Sequence, residues 1–273
     1  MNPRLLHVYQ NTPTGREALL QTSFFCRMMG AAPVIYLPES PRFLMYFEKK
    51  VVQVDLEGFH ENREGVREWR SRASDILAEA GLDAHFLEIR HRTTPDLPDV
   101  PVDFDYMTCP VSPFPRFPVY SELGMRRLTA VAPFTLLLPS PVAREWKSLV
   151  VFYEGSGQGE GVLAAALMMA RNADLPLDLF TFGSADSVRD LPFAGAIRHI
   201  FSGNKNGKRE SLWMNVPHDA LAVMGASHRS WLRERFGFTL KKEFRRRMAS
   251  ALLLTGPVAQ ERYMRIWERR MGS

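Results

Sequence analysis

The sequence predicts two tandem α/β domains, each a parallel sheet flanked by helices. Short apolar runs alternate with helical stretches along most of the chain, the pattern of successive βαβ units. The alternation starts afresh near Leu149. Two pairs of segments also align between the halves. LLHVYQNTPTGREALLQTSFFCRMMGAAPVIYLPES from Leu5 matches LVVFYEGSGQGEGVLAAALMMARNADLPLDLFTFGSA from Leu149, and MRRLTAVAPFTLLLPSP from Met125 matches FRRRMASALLLTGP from Phe244. A repeat of roughly 140 residues is too long for a solenoid and reads as two copies of one domain. The expected domains are residues 1–140 and 147–273, with a linker between them.

In the first copy, residues 5–9 read as a buried strand, and the turn from Gln10 to Gly15 contains a helix start. Ala18, Thr22, Phe25, Cys26 and Met29 then share one helical face, and Gly30 closes the helix. Residues 34–37 form the second strand, parallel to the first through a right-handed crossover. Residues 43–54 fit either an extended excursion or a short helix followed by a strand. Val66, Trp69, Ala73, Ile76, Leu77 and Ala80 predict a helix over 62–80, ended by Gly81. Strands are expected at 84–89, 104–108 and 134–138, with a helix over 119–131. The prolines of 93–101 and 110–118 predict irregular backbone there.

The second copy repeats the plan. Residues 149–153 form a strand, and Glu154-Gly155-Ser156-Gly157-Gln158-Gly159-Glu160-Gly161 forms a turn. The helix that follows carries Leu163, Ala166, Leu167 and Ala170 on one face. Strands are expected at 177–182, 196–201, 220–224 and 251–255. The helix from about 230 to 247 sets Phe236, Leu240, Phe244 and Met248 opposite Lys241, Lys242, Arg245, Arg246 and Arg247. A final helix over 260–270 carries Tyr263, Ile266 and Trp267 on its less polar side.

Composition limits the function classes. Hydrophobic residues make up 45% of the chain and charged ones 24%, enough for packed cores and too apolar for wholesale disorder. No apolar run approaches the roughly 20 residues of a membrane helix, and the chain enters a strand-like run without a signal-peptide core. Two cysteines, Cys26 and Cys109, offer neither a disulfide framework nor a metal site. A cytoplasmic protein is the expectation. Residues 1–140 hold 15 basic and 17 acidic side chains, whereas 229–273 hold 12 basic and 4 acidic. A basic amphipathic helix with its apolar side on a sheet explains that excess better than a nucleic-acid or membrane surface does. No G-x-S-x-G, H-E-x-x-H or C-x-x-C motif and no acidic metal cluster is present, so no catalytic residue and no metal ligand is expected.

Two loops have the chemistry of an anion site. A buried strand opening into a glycine turn and then a helix presents backbone N–H groups to an anion. Gly225 ends the apolar run from Ala220 to Met224, and Ala226-Ser227-His228-Arg229-Ser230 follow it. Arg229 is suited to a bidentate phosphate contact, with Ser227, His228, Ser230 and backbone N–H groups as positioning donors. An ordinary helix start, with Ser227 or Ser230 as N-cap and Arg229 in solvent, accounts for the same residues. The Gly155–Gly161 run is either a flexible turn or a second cradle facing the first.

The ordering and wording of these segments resemble the universal stress protein family in tandem form. The resemblance implies Rossmann-like sheets of strand order 3-2-1-4-5 and an adenine nucleotide, ATP or AMP, with Mg²⁺ accompanying ATP. Members that bind ATP carry an aspartate after the first strand and a G-x-x-G-x9-G-[ST] run after the fourth. In the second copy Glu154 takes the aspartate's place, Gly225 matches the first glycine and Thr239 the Ser/Thr. His228 and Phe238 stand where the other glycines would be, with Gly237 one residue early. The first copy has Gln10 or Asn11 in the aspartate's place, and no glycine between Cys109 and Gly124. The resemblance therefore implies a non-catalytic stress-response or regulatory protein whose nucleotide-binding residues are Glu154, Gly155, Ser156, Gly157, Gly225, Ser227, His228, Arg229, Ser230 and Thr239. It also implies that the two copies pair within the chain, as homodimers of single-domain relatives do. Further homodimerisation and an unidentified protein partner are compatible with it. The alternatives are an enzyme hydrolysing ATP or transferring a nucleotidyl group on the same fold, and a protein-binding module without nucleotide.

Overall fold

The structure, a computed structural model, describes residues 3–9, 11–37, 42–47, 50–55, 63–87, 104–108, 132–140, 142–153, 159–181, 188, 194–202, 215–226 and 250–271, with backbone alone for 42–47, 50–55 and 63–66. The chain divides into two compact units, Met1–Ala143 and Arg144–Ser273.

Unit 1 contains β1 (Arg4–Val8), α1 (Pro13–Met29), β2 (Ala32–Tyr36), β3 (Arg42–Phe47), β4 (Lys50–Asp55), α2 (Arg63–Glu79), β5 (His85–Leu87), β6 (Tyr106–Thr108) and β7 (Thr135–Leu138). Its main sheet runs β5-β2-β1-β6-β7, all parallel. In chain order that is 3-2-1-4-5, as expected. Of the two readings of 43–54, the extended excursion holds and the helix does not. It forms a separate antiparallel hairpin, with Phe43 opposite Val54 and Tyr46 opposite Val51. Its β-branched and aromatic content favours strands, and only two residues separate the two runs.

Local chemistry sets the ends of α1. Thr12 is the N-cap, its hydroxyl accepting from Gly15 N–H at 3.0 Å, and Pro13 follows where a missing N–H does no harm. At the other end Gly30 is left-handed at φ 61° and returns its N–H to the Arg27 carbonyl. Gly81, at φ 71°, plays the same part after α2. The predicted face of α1 is the buried one: Ala18, Thr22, Phe25, Cys26 and Met29 are all enclosed. A second core joins Tyr9, Leu19, Ile35 and Leu37 to Ala73, Ile76 and Leu77 of α2. Thr12→Ala removes the cap acceptor and is expected to cost about 1 kcal/mol, read as a lower urea midpoint for unit 1.

Unit 2 contains β8 (Ser148–Tyr153), α3 (Glu160–Ala173), β9 (Leu177–Thr181), β10 (His199–Ser202), β11 (Ala220–Gly225), β12 (Leu252–Thr255) and α4 (Pro257–Met271), with a 3-10 turn at Ala194–Ala196. The sheet order β10-β9-β8-β11-β12 is again 3-2-1-4-5, and all four pairings are parallel. The strand expected at 196–201 starts later, at His199, because that turn occupies its beginning. A one-sided apolar stripe was the expectation for α3, yet Gly161 to Ala170 are all buried. The helix packs on β8, β9 and β11 and also against α4, so more than one side of it is covered. A helix so covered is apolar all round. The expected helices over 119–131 and 230–247 lie outside the described residues. Among the described residues, no helix is long and apolar enough to cross a membrane.

Candidate functional site

In unit 2 the chain order reverses at β8. The strands β9 and β10 lie to one side of it, β11 and β12 to the other. In doubly wound sheets ligands bind beyond the carboxyl ends of the strands at this point, because the connecting helices leave in opposite directions and open a crevice. The register pairs Val151 with Val223, and two residues further on β8 ends at Tyr153 and β11 at Gly225. On its other side Gly225 is paired with Thr255, the last residue of β12. Gly225 therefore sits at the end of the strand beside the switch point, where the sequence places it. Glu154, Gly155, Ser156, Gly157, Ser227, His228, Arg229, Ser230 and Thr239 lie outside the described residues.

The surroundings of Gly225 give the glycine a packing role. A Cβ there would stand 2.7 Å from Val162 Cγ2 and 3.1 Å from Gln260 Nε2. Gly161, in the first turn of α3, is equally confined: a Cβ would lie 2.7 Å from Gln260 Cβ and 3.1 Å from the Gln260 carbonyl oxygen. Both glycines thus make room for one residue of α4. Gln260 is buried, and its Nε2 donates to the Thr255 carbonyl at 2.7 Å. The Ala226 N–H donates to the same carbonyl at 2.9 Å. These bonds hold the backbone after β11 against the end of β12. In the sequence Gly225 reads as a ligand-loop glycine, and Gln260 does not stand out. Its one visible signal was an uncharged amide among the arginines and glutamates of a terminal helix.

Polar groups gather at this end of the sheet. Burial raises the Tyr153 phenol above its ordinary pKa, and the negative charge of Glu160 adds to the effect. The Thr255 hydroxyl is buried without a hydrogen-bond partner among the described residues. The N-cap of α3 is Gly159, which offers no side-chain acceptor to the first-turn N–H groups. The helix start at Gly159, the phenol of Tyr153 and the hydroxyl of Thr255 all belong to the carboxyl-end side of the unit 2 strands, where the fold places ligands. Among the described residues no cluster of three or more His, Cys, Asp or Glu side chains could hold a metal ion.

A second polar group, missed in the sequence, lies at the opposite end of the strands. Asp178, near the start of β9, accepts from Arg198 Nε at 2.9 Å and Nη2 at 2.5 Å, and His199 Nδ1 lies 3.1 Å away. Burial alone would raise the Asp178 carboxyl, but the hydrogen bonds from Arg198 and His199 outweigh it and hold the pKa below the ordinary value. Phe201 stacks on Phe180 with ring centroids 4.6 Å apart. Together these contacts fasten β10 to β9, and their distance from the switch point marks them as structural.

Each unit thus holds a five-stranded parallel sheet of order 3-2-1-4-5 with helices packed on it. No protein-family model matches this sequence, and no curated protein is similar to it. Solved structures are similar in fold. A universal stress protein from Archaeoglobus fulgidus DSM 4304 is 12% identical and superposes with a TM-score of 0.57, over 94% of this chain and 97% of the other. A functionally unknown protein, PA1789 from Pseudomonas aeruginosa PAO1, is 12% identical with a TM-score of 0.50, over 97% of each chain. The chain has the tandem universal-stress-protein fold over nearly its whole length.

Proposed function

We propose that this chain is a non-catalytic stress-response or regulatory protein that binds an adenine nucleotide at the carboxyl end of the unit 2 sheet. The observation that carries the reading is the meeting of β8 and β11 at the switch point, with Gly225 ending one strand and the glycine-rich run 155–161 leaving the other. Such a place suits a phosphate, since glycine backbone and a helix start supply N–H donors without side-chain obstruction. Arg229 and Ser230 follow within a few residues of Gly225 and would clamp the phosphates, with Mg²⁺ neutralising ATP. Unit 1 lacks the glycines and serves as the structural partner of unit 2. The absence of a recognisable catalytic set favours binding over turnover.

Blocking the pocket with a large residue at 225 would be a poor test, because Val162 and Gln260 already occupy that space. Arg229→Glu is the better variant. Isothermal titration with ATP and with AMP, each with and without Mg²⁺, is expected to show saturable binding in the wild type. Loss of a charge-assisted phosphate contact is expected to weaken it about tenfold or more in the variant. No heat with either nucleotide would refute the reading and leave a protein-binding module. Steady release of phosphate or pyrophosphate would move the protein to the enzymes.

A further inference from the structure

One histidine is sealed inside unit 1. His7, in the central strand β1, has no exposed surface, and neither do Thr22 of α1 and Thr108 of β6. The three form a chain: His7 Nδ1 lies 2.9 Å from Thr22 Oγ1, which lies 2.8 Å from Thr108 Oγ1. The other ring nitrogen, His7 Nε2, is buried without a hydrogen-bond partner among the described residues. A buried bare acceptor is more tolerable than a buried orphan N–H. The ring is therefore the tautomer whose Nδ1–H donates to Thr22, and Nε2 keeps an unsolvated lone pair.

The second unit shows that the fold does not require this arrangement. The repeat places Val151 where His7 stands and Ala166 where Thr22 stands. Val223 pairs with Val151 as Thr108 pairs with His7. Val151, Ala166 and Val223 are all fully buried. One architecture thus carries an apolar trio in unit 2 and a titratable polar trio in unit 1.

We propose that the His7–Thr22–Thr108 chain is an acid-sensitive latch, so that unit 1 opens on acidification while unit 2 stays closed. A proton can add only at Nε2, where the new N–H would find no acceptor among the described residues. Charged neighbours do not offset this. On β1, α1, β2 and β6 the one described carboxylate is Glu17, and it already accepts from the Ala143 N–H at 2.7 Å. The Tyr9 ring, 6.3 Å from the His7 ring, is a neutral phenol with Arg16 and Arg72 near it, and those cations oppose another positive charge. Tyr36 and Tyr106 are buried phenols, and burial pushes the Cys26 thiol up to about 12, so it too stays neutral. Arg16 is exposed, Arg27 lies over the Phe24 ring and Arg4 over the Phe104 ring. Burial takes the His7 pKa from 6.5 down to about 3. The sign follows: the open state binds a proton that the closed state refuses. The stability of unit 1 is therefore full above pH 6.5 and falls as pH drops towards 3. Between pH 7.5 and 5.0 the open fraction is expected to rise about 30-fold.

Amide hydrogen exchange on the full-length protein, read peptide by peptide as protection factors at pH 7.5 and 5.0, tests this. Peptides from β1, α1 and β6 are expected to lose about 30-fold protection, and those from β8, α3 and β11 to change little. The triple variant His7→Val/Thr22→Ala/Thr108→Val, which copies unit 2, is expected to abolish the difference. Equal losses in both units, or an unchanged response in the variant, overturns the proposal. Should the variant not fold, NMR titration of the wild-type imidazole decides. His7 is expected to stay neutral down to about pH 4.5 in folded protein, and ordinary titration near 6.5 without opening overturns the latch.

Discussion

A valine at position 161 is expected to destabilise unit 2 by about 2–3 kcal/mol, although glycine is the poorer helix former. Two effects oppose each other. Replacing a helical glycine with a residue that has a side chain ordinarily stabilises by up to about 1 kcal/mol. Here the new Cβ would lie 2.7 Å from Gln260 Cβ and 3.1 Å from its carbonyl oxygen. The second of these is backbone and cannot rotate away, so α4 itself must shift. That movement strains the bond from Gln260 Nε2 to the Thr255 carbonyl and the cover over α3. Overpacking therefore outweighs propensity. Gly161→Ala is expected to cost less, about 1–2 kcal/mol, since it adds one methyl group. Gly195→Ala is the control: its Cβ would meet nothing within 4 Å, and the change should be nearly neutral. Urea unfolding, with hydrogen exchange assigning the loss to α3 and α4, reads all three. Full retention of the urea midpoint in Gly161→Val would show that α4 is not seated as described.

The fold was legible because its signals are local and periodic. The face of α1, the stops at Gly30 and Gly81, and the nine strands of the two main sheets placed near their expected runs all follow from apolar spacing and turn chemistry. A tenth strand was displaced by a short turn. What stayed hidden depends on contacts between elements distant in sequence. Gly161 and Gly225 look like loop glycines until Gln260 fills the space beside both. The burial of α3 from Gly161 to Ala170 involves α4, almost a hundred residues later. His7 looks like any histidine in a strand, since only packing shows that Thr22 and Thr108 converge on it. Nothing in the spacing of β9 shows that Asp178 anchors Arg198 and His199, which follow some twenty residues later. Of the ligand-binding residues expected from the sequence, Gly225 alone is described, and its neighbours explain the glycine without a ligand. The functional reading therefore rests on the position of the switch point, not on the glycine itself.

Gln21→Leu is expected to cost unit 1 about 2–4 kcal/mol, despite replacing a buried polar side chain with an apolar one of similar size. Gln21 is fully buried in α1, and its carboxamide organises the chain that leaves β7. Oε1 accepts from the Ser140 N–H at 2.8 Å, while Nε2 donates to the Ser140 carbonyl at 2.8 Å and to its hydroxyl oxygen at 2.9 Å. A longer contact reaches the Val142 carbonyl at 3.2 Å. Leucine would contribute apolar burial but strand the Ser140 N–H and carbonyl in a site closed to water. Each such group costs about 1–3 kcal/mol, so the polar loss exceeds the apolar gain. Gln21→Glu separates hydrogen bonding from packing. It keeps the acceptor for the Ser140 N–H but, when ionised, turns an oxygen towards the carbonyls. Its folded-state pKa is therefore raised above the unfolded value of about 4.3. Protonation restores one donor, so the deficit relative to wild type at the same pH should shrink as pH falls and grow as pH rises through the folded pKa. Gln21→Leu, with nothing to titrate, should show a constant deficit. A Glu variant with the same constant deficit would mean that side-chain shape, and not the amide's bonds to Ser140, fastens this segment to α1.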